Sequence, residues 1–295
     1  MLISSQEVKR FYNIWIPLLH YVNQQKQVVE DFPQQWGADH IDVQDAGAIR
    51  VVLWDNDDLL DAFVRENPAQ LSADDLAMVA SWKQRVEGEF FIFRYTDDYA
   101  ILLQDDKAYA VYGLTTTFKE MIGDNLPLYI KTVLIPFEDR IIYDTFFAPY
   151  RVFFGKNIRS DLNHTYRLIQ EREGVTMSLH DTRAEHDIER VRDSNKKVLT
   201  AFNTELNRKG NISERTAADH CENIATFANN YLLQQQPPRY LLDVTLDDIH
   251  SYIASTPDQQ INYVSLKRFA RFMRDTGRMD SAVADTILDV IKEAR

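Results

Sequence analysis

Residues 126–155, LPLYIKTVLIPFEDRIIYDTFFAPYRVFFG, limit what this chain can become more than any other stretch. Two runs, from Tyr129 to Ile135 and from Ile141 to Phe147, are dense in β-branched and aromatic side chains. Such side chains suit a pleated surface and lose rotamer freedom in a helix. Pro136-Phe137-Glu138-Asp139 separates the two runs, and a third short run, Arg151 to Phe154, follows. The pattern predicts a buried β-hairpin, and with it a domain whose core is a sheet.

Upstream, the period of two continues. Phe90 to Tyr95, Tyr99 to Leu103 and Ala108 to Gly113 read as three more strands with short polar gaps, an antiparallel meander. Five or six such strands predict a strongly curved sheet or a small barrel. Helices should flank it. Ser4 to Glu7 is a capping-box pattern ahead of apolar residues at steps of three and four, predicting a helix over about 5–24 with Pro17 a kink. Residues 30–48 read as loop and Ile49 to Trp54 as a short strand. Helices follow over 57–66 and from Ser72 to about Val86, then Thr117 to Ile122 and Asn157 to Glu173, with a last strand at Val175 to Leu179.

The polar run 180–197 marks a boundary, either a loose linker or a helical connector, since Ile188, Val191, Val198, Phe202 and Leu206 keep a helical spacing. Beyond it the chain is helical, punctuated by Gly210, Pro237-Pro238 and Gly277, with Thr245 and Ser281 as helix caps. The expected class is α+β. Residues 1–182 form a domain with an antiparallel sheet, and 183–295 form an all-α bundle of five helices.

Charge is divided unevenly between the two. The net charge is -12, yet residues 195–295 hold 13 basic and 13 acidic side chains, so the first 194 carry the whole excess. An acidic domain does not attract phosphate backbones, and any contact with nucleic acid falls to the second. The single cysteine, Cys221, excludes an internal disulfide and multi-cysteine metal sites and fits a reducing compartment. The N-terminal apolar run is broken by Asn13 and Pro17, so neither a signal peptide nor a membrane span is expected. A cytoplasmic protein with no membrane association and no cofactor is the expectation.

Several groupings fail on spacing. His180, Glu185 and His186 do not share a helix face as an i, i+4 pair would, and His220 beside Cys221 lacks further ligands. Asp55, Asp57, Asp61 and Glu66 match some ligand positions of a calcium loop, but Leu60 stands where its turn needs glycine. No phosphate-binding glycine loop or nucleophile elbow is present. Two groupings stand. Arg140, Tyr143, Asp144 and Arg151 sit among apolar neighbours in the hairpin. Arg140 and Asp144 fall on one strand face, either as a structural ion pair or as a ligand site. Lys267, Arg268, Arg271, Arg274 and Arg278 lie on the last basic stretch. At 100° per residue, Lys267, Arg271, Arg274 and Arg278 form a stripe apart from Leu266, Phe269, Phe272 and Met273. That stripe either holds a phosphate backbone or is a solvated face paired with acids.

The second domain also carries a family pattern. Phe202-x-x-Glu-Leu206, Gly210-x-Ile-Ser213-x-x-Thr216, Ile224-x-x-Phe227-x-x-x-Tyr231-Leu232, Leu242-x-x-Thr245-x-x-Asp248-Ile249 and Ser265-Leu266-x-x-Phe269 lie within 196–280. This region resembles the helical, SAM-like core-binding domain of tyrosine recombinases and phage integrases. The resemblance implies a clamp on duplex DNA. No catalytic domain of that family follows by Arg295, so recombination is not expected. The first domain resembles uncharacterised bacterial proteins with a similar Ile141-Ile142-Tyr143-Asp144…Pro149-Tyr150…Gly155 stretch. The sequence therefore predicts a bacterial, non-catalytic binding or scaffolding protein with a protein partner. A duplex-DNA-associated protein using residues 265–276 is the alternative, and an enzyme with a site around Arg140 and Asp144 is the third reading.

Overall fold

The structure is a computed structural model and describes residues 2–35, 37, 41–150, 154, 156–180 and 187–294. The chain divides into two compact units, one of residues 1–166 with 175–182, the other of 167–174 with 183–295. The fold is α+β, with the sheet in the first unit and helices alone in the second.

In the first unit α1 (Ser5–Lys26) starts at a complete capping box between Ser4 and Glu7, which satisfies orphan N–H groups at its first turn. Its buried stripe, Phe11, Trp15, Leu18, Leu19 and Val22, forms the centre of the core. Trp15 lies 5.8 Å from Trp54 and 5.7 Å from Trp82, ring centre to ring centre. Next come α2 (Val43–Trp54), α3 (Asp57–Glu66) and α4 (Ala73–Ser81). The strand expected at Ile49 to Trp54 is instead the second half of α2, and part of the expected loop is its first. Asp42 caps this helix by accepting from the N–H groups of Gln44 and Asp45, and Ala46, Ile49 and Leu53 bury one face. Tertiary packing overrides the strand propensity of its β-branched residues. The would-be calcium ligands are on or beside α3, where Asp57 pairs with Arg85 and Asp61 with Lys83.

Five strands follow: β1 (Val86–Tyr95), β2 (Ala100–Gln104), β3 (Lys107–Tyr112), β4 (Leu128–Phe137) and β5 (Arg140–Pro149). They close into a barrel in the order β1-β2-β3-β5-β4, a Greek-key connection with α5 (Phe118–Ile122) between β3 and β4. All pairs are antiparallel except β3 with β5, where Val111 and Tyr112 run parallel to Ile141 and Ile142. Length lets β1 serve both neighbours, pairing with β2 and with β4. It coils at Gly88, whose φ of +143° is open to glycine and where a Cβ would stand 2.5 Å from the Gln104 amide. The predicted hairpin is β4–β5, but Pro136 and Phe137 belong to β4, so the turn is only Glu138-Asp139. Residues 175–179 form no full strand. Thr176 alone bridges to β3, through hydrogen bonds with Ala108 and Ala110. The third run of the hairpin stretch, 151–153, lies outside the described residues.

α6 (Lys156–Arg172) follows the barrel, and its residues from 167 onward belong to the second unit. That unit contains α7 (Ile188–Lys209), α8 (Glu214–Asn230), a 3-10 turn at Leu232–Gln234, α9 (Leu246–Ser255), α10 (Tyr263–Asp275) and α11 (Ser281–Glu293). Residues 188–197 of the polar stretch are the opening turns of α7. The cap of α11 is Asp280 rather than Ser281. Val198, Phe202, Ile224, Phe227, Leu266, Phe269, Met273 and Ile287 make a separate core. Among the described residues no helix is long and apolar enough to cross a membrane.

Candidate functional site

The hairpin group is not one site. Asp144 has no exposed surface, and its partner is Arg50 of α2, not Arg140. Arg50 binds it bidentately, with Nε donating to Oδ2 and Nη2 to Oδ1 at 3.1 Å, while Trp54 Nε1 donates to Oδ2 at 2.6 Å. Beside it the β4–β5 register breaks, with Thr132 opposite Phe147 and Leu134 opposite Tyr143. Thr145 sits in this bulge at φ +77°, a left-handed conformation that a β-branched residue rarely takes. The Phe146 N–H reaches back to the Asp144 carboxylate, and Thr132 Oγ1 donates to the Phe146 carbonyl at 2.6 Å. Burial pushes the Asp144 carboxyl up to about 6, against the pull of Arg50, Trp54 and Phe146. Every oxygen of this carboxylate is therefore committed to holding α2 on the bulge.

The other hairpin residues point elsewhere. Arg140 pairs with Glu7 at 3.0 Å and lies 5.5 Å over the Tyr112 ring. The Tyr143 ring is buried against Phe118, and burial pushes its phenol up to about 12. Arg151 lies outside the described residues. Arg50 escapes the sequence reading because residues 49–54 read as a strand. The available signal was Asp42 as an N-cap, followed by Ala46, Ile49 and Leu53 at steps of three and four.

The basic group on α10 is divided by its partners. Arg274 donates to Asp285 at 2.7 Å and to Asp275 at 3.1 Å. Arg278 is bound bidentately by Glu171, is only 5% exposed and lies 4.7 Å over the Phe272 ring. Both guanidiniums are thus engaged by carboxylates, Arg278 in a buried pair and Arg274 in exposed ones. Lys267, Arg268 and Arg271 have no carboxylate partner among the described residues. With the exposed Val264 they fall at i, i+3, i+4 and i+7, one face of α10. The opposite face, Leu266, Phe269, Phe272 and Met273, is buried, which leaves Arg271 exposed and Lys267 and Arg268 half-buried, with the Arg268 Nε turned into the fold. The long side chains of three cations thus stand on a rigid helix rather than a loop, able to meet successive phosphates.

Behind the stripe His220 of α8 meets Ser265 of α10, Nδ1 to Oγ at 2.8 Å, and Asn223 donates to the same hydroxyl at 3.2 Å. Ser265 is fully buried, so this pair positions α10 on α8 and has no access to a substrate. Burial and the Arg268 charge lower the His220 pKa below its usual value, although Asp219 opposes them. Burial pushes the Cys221 thiol up to about 11, far from nucleophilic. His180 contacts Gln84, while Glu185 and His186 lie outside the described residues. No three His, Cys, Asp or Glu side chains converge as a metal site among the described residues.

Compared with protein-family models, with curated proteins and with solved structures, the chain matches none.

Proposed function

We propose that this chain is a non-catalytic binding protein whose helical unit holds duplex DNA along α10. The observation that carries the reading is the stripe Val264, Lys267, Arg268 and Arg271, three cations without carboxylate partners among the described residues on one face of α10, Arg271 exposed and the other two half-buried. Such a row displaces condensed counterions from a phosphate backbone, and the affinity gained this way falls as salt rises. The resemblance of residues 196–280 to recombinase core-binding domains points the same way. A scaffold for a second protein has less support. The large apolar side chains left exposed are spread over the chain, and only Val43 and Val51 share an element.

The test is fluorescence anisotropy with a labelled duplex and the full chain at low salt. Binding should drop at least tenfold in a Lys267→Glu/Arg271→Glu double variant. A reversal that leaves binding unchanged removes α10 as the contact. Absence of duplex binding even at low salt removes the DNA reading.

A further inference from the structure

A cavity of about 360 Å³ opens in the second unit, where one face of α7 meets the end of α8 and the following 3-10 turn. Its apolar walls are Ile188, Leu199 and Leu233, and Arg192 and Lys196 stand among them one helical turn apart. Among the described residues no acidic side chain lines it, in a chain with 45 Asp+Glu against 33 Lys+Arg. Ile188 is 41% exposed there, a large aliphatic side chain left open to solvent beside two cations.

The lining selects a ligand class. Paired cations without an acid favour an anion and disfavour an amine. Three aliphatic walls, with no aromatic ring among the described lining residues, offer a base nothing to stack on, which argues against a nucleotide. The volume is at the lower end of small-molecule sites, which are mostly apolar with a few convergent polar groups. Among the described residues Arg192 pairs with Glu189, an exposed i, i+3 partner that a ligand carboxylate can replace, and Lys196 Nζ has no carboxylate partner.

We propose that this cavity binds an anionic amphiphile, its carboxylate between Arg192 and Lys196 and its hydrocarbon chain over Ile188, Leu199 and Leu233. The site uses none of the α10 stripe and stands whether or not the chain holds DNA.

Isothermal titration of the full chain with decanoate, below its micellar concentration, tests this, with 1-decanol and decylammonium as controls. One decanoate should bind per chain, at least tenfold tighter than either control. Lys196→Glu should weaken it at least tenfold, and Ile188→Asp should do the same by spoiling the apolar wall. Both positions are exposed, and circular dichroism of the unliganded variants checks their fold; if one fails to fold, the other decides. Equal binding of decanol or decylammonium overturns the proposal. So does decanoate binding that folded variants leave unmoved, or no saturable binding at millimolar decanoate.

Discussion

Arg50 Nη2 lies 3.1 Å from Asp144 Oδ1, across ninety-four positions of sequence, and with Nε it closes a bidentate pair inside the first unit. The carboxylate is fully buried, and the guanidinium is 16% exposed. Removing one partner of such a pair leaves the other's charge without compensation, a loss of about 3–5 kcal/mol. Asp144→Ala should therefore destabilise the first unit by about that amount in urea unfolding, since it also strips the Trp54 and Phe146 donors of their acceptor. A loss below about 1 kcal/mol would show that the pair does not fix α2.

The same pair sets a pH dependence. The Asp144 carboxyl is pushed up to about 6 in the folded chain, above its ordinary 3.8. Between about pH 4 and 6 the folded state holds more protons than the unfolded one, so this group's contribution to stability falls as pH rises. Arg50→Met removes the charge that holds the carboxyl down and extends that window upward. The variant should be weakest relative to the parent at about pH 7 to 8 and recover part of the gap by about pH 5. Unfolding midpoints across that range check it, and a gap that widens on acidification contradicts it.

Thr145 holds φ +77° within the bulge beside Asp144. Glycine takes that conformation without the steric cost of a Cβ, about 1–2 kcal/mol, but raises the entropy of the unfolded chain by about 0.5–1 kcal/mol. Thr145→Gly should be slightly stabilising, by up to about 1 kcal/mol, where most strand-to-glycine changes destabilise. A clear loss would mean that the Thr145 side chain contributes more than its backbone costs.

His220 supplies a second titration with the opposite sign. Burial and Arg268 keep its pKa below the ordinary 6.5, so the unfolded chain takes up the proton first. The stability it supports is complete above about pH 6.5 and is lost as pH falls through the lowered value. Arg268→Gln removes one cause of the shift and should make the helical unit less sensitive to acid below about pH 6.5. An NMR titration of the imidazole in both forms reads this directly, and an unchanged midpoint refutes the coupling.

What could be read in the sequence follows from how local each cause is. The β4–β5 hairpin, α1 with its Ser4–Glu7 capping box and the α9 cap at Thr245 rest on short-range chemistry and are legible. Residues 49–54 look like a strand because Ile, Val and Trp favour one, and the Asp42 cap seven residues upstream, with packing on Trp15 and the Asp144 bulge, makes them helix. Misreading that segment hides Arg50, and without Arg50 the partner of Asp144 cannot be named. The α10 stripe is periodic and so visible. Which of its cations remain available depends on Glu171 and Asp285, 107 and 11 positions away from their partners. That distinction needs tertiary structure.

The stripe itself is tested most directly by the salt dependence of duplex binding. Three phosphate contacts, at Lys267, Arg268 and Arg271, predict a slope of log K against log[salt] of about -2.7. Arg271→Gln should reduce it by about one unit. Arg274→Gln should leave it unchanged, because that guanidinium is held by Asp275 and Asp285. A slope near zero, or one that Arg274→Gln moves as much as Arg271→Gln, contradicts the assignment of α10 as the DNA-binding face.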